Sequence, residues 1–289
     1  MEAINSAREI MGSLDEQHYV ADEELATVLF LLLRMHKPLL LEGPPGVGKT
    51  EVALVLSQLL NTRLIRLQCY EGLDVSAAVY EWNYQKQLLG IKLQEHTPLS
   101  VEEKEHHIFS HEYLLTRPLL QSIMEKERAP VLLIDELDRS DEEFEAFLLE
   151  LLSVFQITIP ELGTVKAKYK PYVILTSNRT RELSDALKRR CLYHWIDYPD
   201  FEKEKTIVRK KLPGIEQQLL EQVVGHVQAF REKKLAKIPG VSETIDWAES
   251  LMTLGFREVS SKAFEQTLGS VLKSMEDISQ AKAEFVPGP

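Results

Sequence analysis

One stretch of this sequence, residues 43–50, restricts the possible folds more than any other feature. It reads Gly-Pro-Pro-Gly-Val-Gly-Lys-Thr, which has the spacing of a phosphate-binding loop. Glycines at these positions let the backbone fold into a nest whose N–H groups point at phosphate oxygens. A Gly/Pro turn ahead of an ordinary helix is the alternative. The flanks favour the loop, because a buried strand is predicted over 38–42 and a helix over 50–60.

The residue types in and around this loop predict a site for a nucleoside triphosphate, taken as ATP, with Mg²⁺. Lys49 is expected to reach the β- and γ-phosphates, and the Thr50 hydroxyl to coordinate the metal. Two upstream residues are candidates to touch the adenine, although core packing is the simpler explanation for either of them alone. The predicted nucleotide-binding residues are Gly43, Pro44, Pro45, Gly46, Val47, Gly48, Lys49, Thr50, Glu51, Tyr19 and Val20.

A second strand-like run, residues 131–134, is followed at once by two carboxylates, Asp135 and Glu136. Ligands of parallel α/β sheets bind at the carboxyl ends of the strands. Asp135 is therefore expected to hold Mg²⁺, directly or through water, and Glu136 to accept a proton from the attacking water. Acidic residues after a strand are also common in helix-capping turns. The carboxylate pair indicates a nucleotide site because the chain also has a phosphate-binding loop.

Two further positions could contribute polar groups. The strand predicted over 171–175 leads into Asn178, whose amide could orient the attacking water, although an Asx turn is the simpler reading of that residue alone. A short helix over 183–188 closes on Arg189 and Arg190, just before the strand predicted over 191–198. These arginines are either surface charges or an arginine finger that enters a neighbouring subunit's nucleotide site.

The order of predicted elements indicates an α/β core followed by an all-α segment. A β-hairpin is predicted over 155–168, and no strand is predicted beyond residue 199. The composition shift there predicts two domains, a nucleotide-binding core over 1–199 and a smaller helical lid over 200–289. The predicted strands are 38–42, 63–69, 131–134, 171–175 and 191–198, and the predicted lid helices are 201–212, 215–235, 242–254 and 260–277.

The segment between the second and third predicted strands is harder to interpret. Residues 74–89 look helical and carry three aromatic residues, which either grip a client protein or pack in the core: Tyr80, Trp82 and Tyr84. His107 and His111 are four residues apart and could chelate a metal on one helical face. Solvated histidines are the simpler explanation, because no third ligand is evident.

The bulk composition narrows the class of protein. The net charge of −11 argues against a broad nucleic-acid-binding surface. Two cysteines, Cys69 and Cys191, match neither a disulfide framework nor a metal spacing and suit small buried side chains. The sequence starts without a basic and apolar leader, and its apolar run at 29–33 is too short to span a bilayer. We expect no integral membrane segment and a cytoplasmic location.

The chain resembles the AAA+ ATPases, because the loop, the acidic strand end, the polar strand end and the arginine edge occur in that order. The hairpin before the strand that leads to Asn178 is similar to that of the pre-sensor hairpin clade. Within this clade the chain resembles the MoxR group and especially its CoxD-type members. The stretches that carry the resemblance are Leu-Glu-Gly-Pro-Pro-Gly-Val-Gly-Lys-Thr (41–50), Leu-Ile-Asp-Glu-Leu-Asp-Arg (133–139) and Ala-Leu-Lys-Arg-Arg-Cys-Leu-Tyr-His-Trp-Ile-Asp-Tyr-Pro (186–199).

The resemblance implies a fold and a set of roles. It implies a parallel five-stranded P-loop sheet with a pre-sensor hairpin, followed by a helical lid. Lys49 and Thr50 match Walker A, and Asp135 with Glu136 matches Walker B. The matches continue with Asn178 as sensor 1, and with Arg190 as the first and Arg189 as the second choice of finger. The group commonly has a sensor 2 arginine where residues 241–245 read Val-Ser-Glu-Thr-Ile, so that role stays unassigned.

The resemblance also implies an activity and partners. It implies a Mg²⁺-dependent ATPase that acts as a homo-oligomeric ring, taken as a hexamer, together with a von Willebrand factor A domain protein. CoxD-type members help to mature the active site of carbon monoxide dehydrogenase or related molybdenum hydroxylases, so the client would be a metalloenzyme. The alternatives are a general MoxR chaperone for another complex, a DNA-acting AAA+ motor, and a nucleotide switch without turnover. Acidic charge counts against the motor, and the intact carboxylate pair counts against the switch.

Overall fold

The computed structural model of the chain describes residues 5–94 and 97–284. The chain divides into two compact units, each with a hydrophobic core. We call Val28–Leu41 with Leu56–His194 the sheet unit, and Met1–Thr27, Glu42–Val55 and Trp195–Pro289 the loop–helix unit. The domain boundary after residue 199 stays a prediction, and the outer ends of the two predicted domains lie outside the described residues.

The strands in the described part of the chain fall into one central sheet and two hairpins. Their bounds are β1 (Leu39–Glu42), β2 (Leu64–Gln68), β3 (Tyr80–Trp82), β4 (Leu114–Thr116), β5 (Val131–Asp135), β6 (Gln156–Ile159), β7 (Gly163–Lys166), β8 (Tyr172–Ser177) and β9 (Leu192–Trp195). The central sheet has the order β2-β5-β8-β1-β9. All five strands predicted for it are present, and the α/β fold with a parallel five-stranded sheet is confirmed.

The register of the sheet brings three carboxyl ends of strands side by side. β2 pairs in parallel with β5 and places Gln68 opposite Asp135, and β5 pairs in parallel with β8 and places Ile134 opposite Leu175. β5 is buried at every position because both faces of the sheet are covered, which explains its continuous apolar sequence. Polar residues at these three ends are therefore neighbours.

Two of the described helices precede the first strand, and the others lie between and after the strands. Their bounds are α1 (Ala7–Glu16), α2 (Glu23–Met35), α3 (Lys49–Leu59), α4 (Val75–Val79), α5 (Tyr84–Gln94), α6 (Val101–Ile108), α7 (Pro118–Met124), α8 (Glu142–Val154), α9 (Asp185–Lys188), α10 (Phe201–Lys211), α11 (Gln217–Arg231), α12 (Val241–Thr253), α13 (Ser261–Val271) and α14 (Met275–Glu284). Aspartate caps begin several of them: Asp141 accepts from the Phe144 N–H at 2.8 Å, and Asp200 from the Lys203 N–H at 2.8 Å.

The predicted pre-sensor hairpin is confirmed. β6 and β7 pair antiparallel from Gln156 opposite Lys166 to Ile159 opposite Gly163, and Gly163 adopts the positive φ of 80° that its turn requires. The hydroxyls of Thr158 and Thr164 lie 3.0 Å apart across the pair. The hairpin directly precedes β8 along the chain, as the sequence predicted.

The single helix predicted over 74–89 is wrong. The chain forms α4, then the strand β3, and then α5, because β3 pairs antiparallel with β4 and places Trp82 opposite Leu114. Trp82 is buried and packs edge-on against Phe109 with ring centroids 5.3 Å apart. Extended backbone lets these residues alternate between core and surface, which a helix would not.

The last helix predicted for the helical segment is also wrong in extent. The run 260–277 divides into α13 and α14, since Leu272 is extended at φ −105° and ψ 133°. Lys273 Nζ donates to the carbonyls of Gly269 and Ser270, which closes α13. The structure thus has five helices after residue 200 in its described part, where the sequence predicted four.

Candidate functional site

The phosphate-binding loop belongs to the loop–helix unit and connects β1 to α3. Its first residue, Gly43, lies against the backbone of Ile196, whose N–H donates to the Glu42 carbonyl at 2.8 Å. A Cβ on Gly43 would approach the Ile196 oxygen to 2.0 Å, so no other residue fits there. α3 begins at Lys49, directly after the loop, so its positive end faces the loop in the way that suits an anion.

Lys49 lies inside this loop. Its side chain is buried, and Nζ donates to the carbonyls of Gly43 at 2.7 Å and Pro44 at 2.6 Å. A phosphate oxygen would offer this ammonium a charged acceptor, which makes a stronger hydrogen bond than a neutral carbonyl. Thr50, one residue on, is exposed, and its hydroxyl is the kind of oxygen that Mg²⁺ accepts as a ligand.

Tyr19 is a neighbour of the loop. Its Cε2 atom lies 3.8 Å from the position that a Cβ on Gly48 would take. Burial raises the pKa of the Tyr19 hydroxyl, with smaller contributions from the charges of Glu51 and Asp22, so it stays protonated at neutral pH. Glu51 forms an ion pair with Lys211 of α10. Contact of Tyr19 or the half-buried Val20 with adenine stays a prediction.

The acidic strand end belongs to the sheet unit. Asp135 ends β5 and is 2% exposed. Its Oδ1 accepts from the Thr176 hydroxyl at 2.5 Å, and its Oδ2 pairs with the Arg66 guanidinium at 2.6 Å. A buried carboxylate held by two donors at a strand end is an oxygen ligand suited to a divalent cation. The donor chemistry therefore fits the predicted Mg²⁺.

Glu136 follows Asp135 in a left-handed backbone conformation, with φ 54° and ψ 49°. Its N–H donates to the Thr176 hydroxyl at 2.9 Å, which turns the chain sharply at the end of β5. Its carboxylate is about one-third exposed, and Oε2 accepts from Gln68 Nε2 at 3.1 Å and from Arg139 Nε at 3.0 Å. The two carboxylates therefore occupy different environments, one buried and one reachable from solvent.

Asn178 lies beyond the end of β8, the neighbour of β5. Its backbone N–H donates to Asp138 Oδ1 at 3.2 Å, and Thr180 donates to Asp138 Oδ2 through its N–H at 2.8 Å and its hydroxyl at 2.7 Å. Within residues 5–94 and 97–284 the Asn178 side-chain amide makes no hydrogen bond, so it does not form the Asx turn. The sheet brings Asp135, Glu136 and this amide to one edge.

Arg189 and Arg190 follow α9 and are both exposed. In the part of the chain that the structure describes, neither guanidinium forms an ion pair. Arg181, by contrast, pairs with the buried carboxylate of Glu145. Among the residues that the structure describes, the guanidinium groups of Arg189 and Arg190 are thus available to another molecule.

Sequence reasoning missed three residues that position this acidic edge: Arg66, Thr176 and Asp138. Thr176 stands in the polar run that led to Asn178, so its place at a strand end was visible. The partners of Arg66 and Asp138 follow only from the pairing of distant strands. Asp138 stands in the stretch 133–139, which does not indicate its partners, and no local pattern indicates Arg66.

The aromatic residues, histidines and cysteines that the sequence singles out have varied environments. Tyr84 is exposed whereas Trp82 is buried, so the three aromatic residues do not form one surface. His107 packs edge-on against Tyr113, and no cluster of three metal-ligating side chains occurs among the residues described. Both cysteines are free thiols, and burial raises the pKa of each to about 12. Cys69 is the small buried side chain that the sequence predicts, whereas Cys191 is only partly buried. Among the described helices, none is long and apolar enough to cross a bilayer.

A family comparison agrees with the fold and with the loop. Residues 38–191, more than half of the chain, match the model of the AAA domain (dynein-related subfamily). The chain belongs to this AAA family, whose members share a P-loop nucleotide-binding fold. The finer assignment to the MoxR group and its CoxD-type members stays a prediction.

Individual relatives and structures extend the comparison. An uncharacterised protein of Staphylococcus epidermidis is 28% identical over 87% of this chain and 89% of its own length. A second uncharacterised protein, from Staphylococcus haemolyticus, is 27% identical over 73% of this chain and 74% of its own length. Among solved structures, a point mutant of RuvB from Thermotoga maritima superposes with a TM-score of 0.52 at 19% identity, over 89% of this chain and 71% of that one. This last likeness supports the AAA+ fold alone.

Proposed function

We propose that the chain is a Mg²⁺-dependent ATPase that works as a homo-oligomeric ring. The observation that carries the proposal is the pair of carboxylates at the end of β5, Asp135 buried and Glu136 accessible, in a chain whose phosphate-binding loop encloses the Lys49 ammonium. A nucleotide-binding protein without turnover needs no accessible carboxylate at that position. The proposal therefore favours hydrolysis over a nucleotide switch.

Each residue has a role in this proposal. Lys49 and the loop N–H groups bind the phosphates, while the Thr50 hydroxyl and the Asp135 carboxylate hold Mg²⁺. Bound Mg²⁺ supplies charge that stabilises the phosphates as they separate. Glu136 orients and deprotonates the attacking water, and the free Asn178 amide helps to orient it.

The exposed arginines support the oligomer. An unpaired guanidinium at the surface is available to a neighbouring subunit, and a finger supplied in trans is worth about 10³ to 10⁵ in rate. We assign this role to Arg190 first and to Arg189 second. The ring is taken as a hexamer on the resemblance to the MoxR group.

The client and the partner rest on the same resemblance. We propose that the ATPase is a CoxD-like chaperone that matures a metalloenzyme together with a von Willebrand factor A domain protein, in the cytoplasm. A general MoxR chaperone for another complex would use the same ATPase. A DNA-acting motor is disfavoured by the net charge of −11.

One experiment with two arms tests the ATPase. In the first arm, phosphate release and ATP binding are measured for the wild type, Glu136→Gln and the exposed control Glu143→Gln. Removal of a general base costs roughly 10² to 10⁴ in rate, so Glu136→Gln should bind ATP and release almost no phosphate, whereas Glu143→Gln should match the wild type. Undiminished release by Glu136→Gln would rule out the assigned base.

The second arm tests the finger. Arg190→Ala and Lys49→Ala subunits are each expected to be inactive alone, but a mixed ring would contain sites with an intact Lys49 and an intact Arg190. Part of the phosphate release should therefore return on mixing. The same mixing experiment with Arg189→Ala in place of Arg190→Ala shows which of the two arginines acts as the finger. A mass measurement first establishes that the mixed assemblies form. If they form and neither mixture recovers phosphate release, a finger in trans is contradicted.

A further inference from the structure

The phosphate-binding loop and the start of α12, both in the loop–helix unit, meet through their main chains. The carbonyl of Gly46 accepts from the N–H of Val241 at 2.9 Å and from the N–H of Ser242 at 3.3 Å. The first N–H groups of a helix have no partner within the helix and need an acceptor from elsewhere. For α12 the phosphate-binding loop supplies that acceptor.

Two glycines make this contact possible. A Cβ on Gly240 would lie 2.8 Å from the Cα of Gly46 and 2.8 Å from the carbonyl oxygen of Pro45, and neither of these backbone atoms can rotate away. A Cβ on Gly46 would in turn lie 3.1 Å from the Cα of Gly240. Gly46 also has a φ of +75°, which side chains disfavour. Both positions are closed to any larger residue.

The contact fixes the direction of a loop amide. A peptide unit is planar and trans, so its N–H points opposite to its carbonyl, and the described chain has no cis peptide. With the Gly46 carbonyl bonded to α12, the N–H of Val47 must point away from α12. The N–H groups of such a loop are the donors that bind phosphate.

The start of α12 is itself held by the helices before it. The Thr244 hydroxyl donates to Glu204 of α10 at 2.6 Å, and Arg231 of α11 donates to the Pro239 carbonyl at 2.9 Å. Glu243 accepts from the Gly240 N–H at 2.9 Å, which stabilises the first turn. A displacement of these helices would therefore pull directly on the loop carbonyl.

We infer that Gly240 is a positioning residue, through which the main chain of α12 sets the conformation of the phosphate-binding loop and couples the helical segment to bound triphosphate. The inference rests on the proposed function. In this inference, backbone N–H groups link the helices to the phosphates. The stretch 241–245, where the link begins, carries no arginine. By linkage, bound nucleotide must stabilise the docked α12 as much as docked α12 strengthens nucleotide binding.

The test uses binding of a fluorescent, slowly hydrolysed ATP analogue with Mg²⁺ to the full chain. Gly240→Ala should weaken binding about tenfold or more, because its methyl group separates α12 from the loop. Gly214→Ala is the matched control, since only Met252 Cε lies near its Cβ position, at 3.7 Å, and it should bind like the wild type.

A second pair of variants covers the case in which Gly240→Ala fails to fold. Val241→Pro removes the N–H that bonds Gly46, yet proline suits the first position of a helix. Val241→Ala shortens the same side chain and keeps the N–H. Val241→Pro should lose affinity and Val241→Ala should keep it, and equal affinities in this pair would overturn the inference.

Hydrogen exchange separates coupling to the nucleotide from a purely structural role of this contact, because only coupling makes the exchange rates of the α12 amides depend on the bound analogue. In the wild type, the amides at the start of α12 should exchange more slowly when the analogue is bound, and in Val241→Pro this effect should vanish. Absence of slowing in a wild type that binds the analogue would also overturn the inference. Failure of the proposed function looks different, because binding would then be undetectable or independent of Lys49.

Discussion

The buried ion pair between Glu204 and Arg231 yields the sharpest prediction for stability. The side chains are 0% and 7% exposed, and Arg231 donates to both Glu204 oxygens at 2.6 and 2.7 Å. The guanidinium also lies over the ring of Tyr198, 4.7 Å from its centroid. Removal of one partner from such a pair leaves a charge buried and unpaired, which costs about 3–5 kcal/mol.

Arg231→Met tests this magnitude, because methionine fills much of the volume and leaves Glu204 without its cation. The free energy of unfolding should fall by about 3–5 kcal/mol in urea titrations followed by tryptophan fluorescence, which reports on the fully buried Trp247 of the same unit. The double variant Glu204→Leu with Arg231→Met removes both charges. It should recover much of the loss, since well-packed apolar residues often replace a buried pair without cost.

Arg257→Met is the matched control. Arg257 pairs with Glu216 at 3.4 Å, but the side chains are 82% and 53% exposed, so this pair contributes at most about 1 kcal/mol. If Arg231→Met lost no more stability than Arg257→Met, or if the double variant were as unstable as the single one, the reasoning from burial would be refuted.

Two further predictions concern pH and metal. Burial, and then the charge of Lys233, lowers the pKa of His226 below its usual 6.5, so the unfolded chain binds the proton more readily. The urea midpoint should therefore fall as the pH drops from about 7.5 to about 5.5, and His226→Phe should reduce that fall; an unchanged difference would contradict the assignment. Arg66 occupies an oxygen of Asp135, so Arg66→Ala should lower the Mg²⁺ concentration for half-maximal nucleotide binding about three- to tenfold. An unaltered Mg²⁺ dependence would show that the two cations do not compete.

The central sheet was predictable because its strands are short apolar runs bounded by polar residues. The carboxylates at 135 and 136 and the hairpin before β8 carry local signals of the same kind. β3 was not predictable, since its partner β4 lies in a separate segment further along the chain and the aromatic residues near Trp82 fit a helix equally well. A pairing between distant segments leaves no trace in either segment alone.

The sequence carries a weak local signal for the start of α14, which alone does not predict the break between α13 and α14. Ser274 and Asp277 have the spacing of a helix start, and the Asp277 N–H reaches the Ser274 hydroxyl at 3.5 Å. Asp277 is buried because its carboxylate accepts from the backbone N–H groups of Ala236 and Lys237. Those tertiary contacts hold the first turn of α14, and the sequence around Asp277 does not show them.

The environment of the candidate site was less predictable than its residues. Lys49, Asp135 and Glu136 follow from local motifs, whereas the donors around Asp135 depend on the register of β2, β5 and β8. The role of Gly240 was not predictable either, because a glycine at the start of a helix is an ordinary cap. Its contact with Gly46 becomes evident only when two segments far apart in the chain meet.

The left-handed backbone at Glu136 has a consequence for how this chain can change. A residue with a side chain costs about 1–3 kcal/mol in that conformation, and glycine would relieve the cost. A sequence selected for stability alone would therefore drift towards glycine at this position. In this chain the acid at the end of β5 therefore comes at a cost in stability, and a search for stabilising variants should leave position 136 untouched.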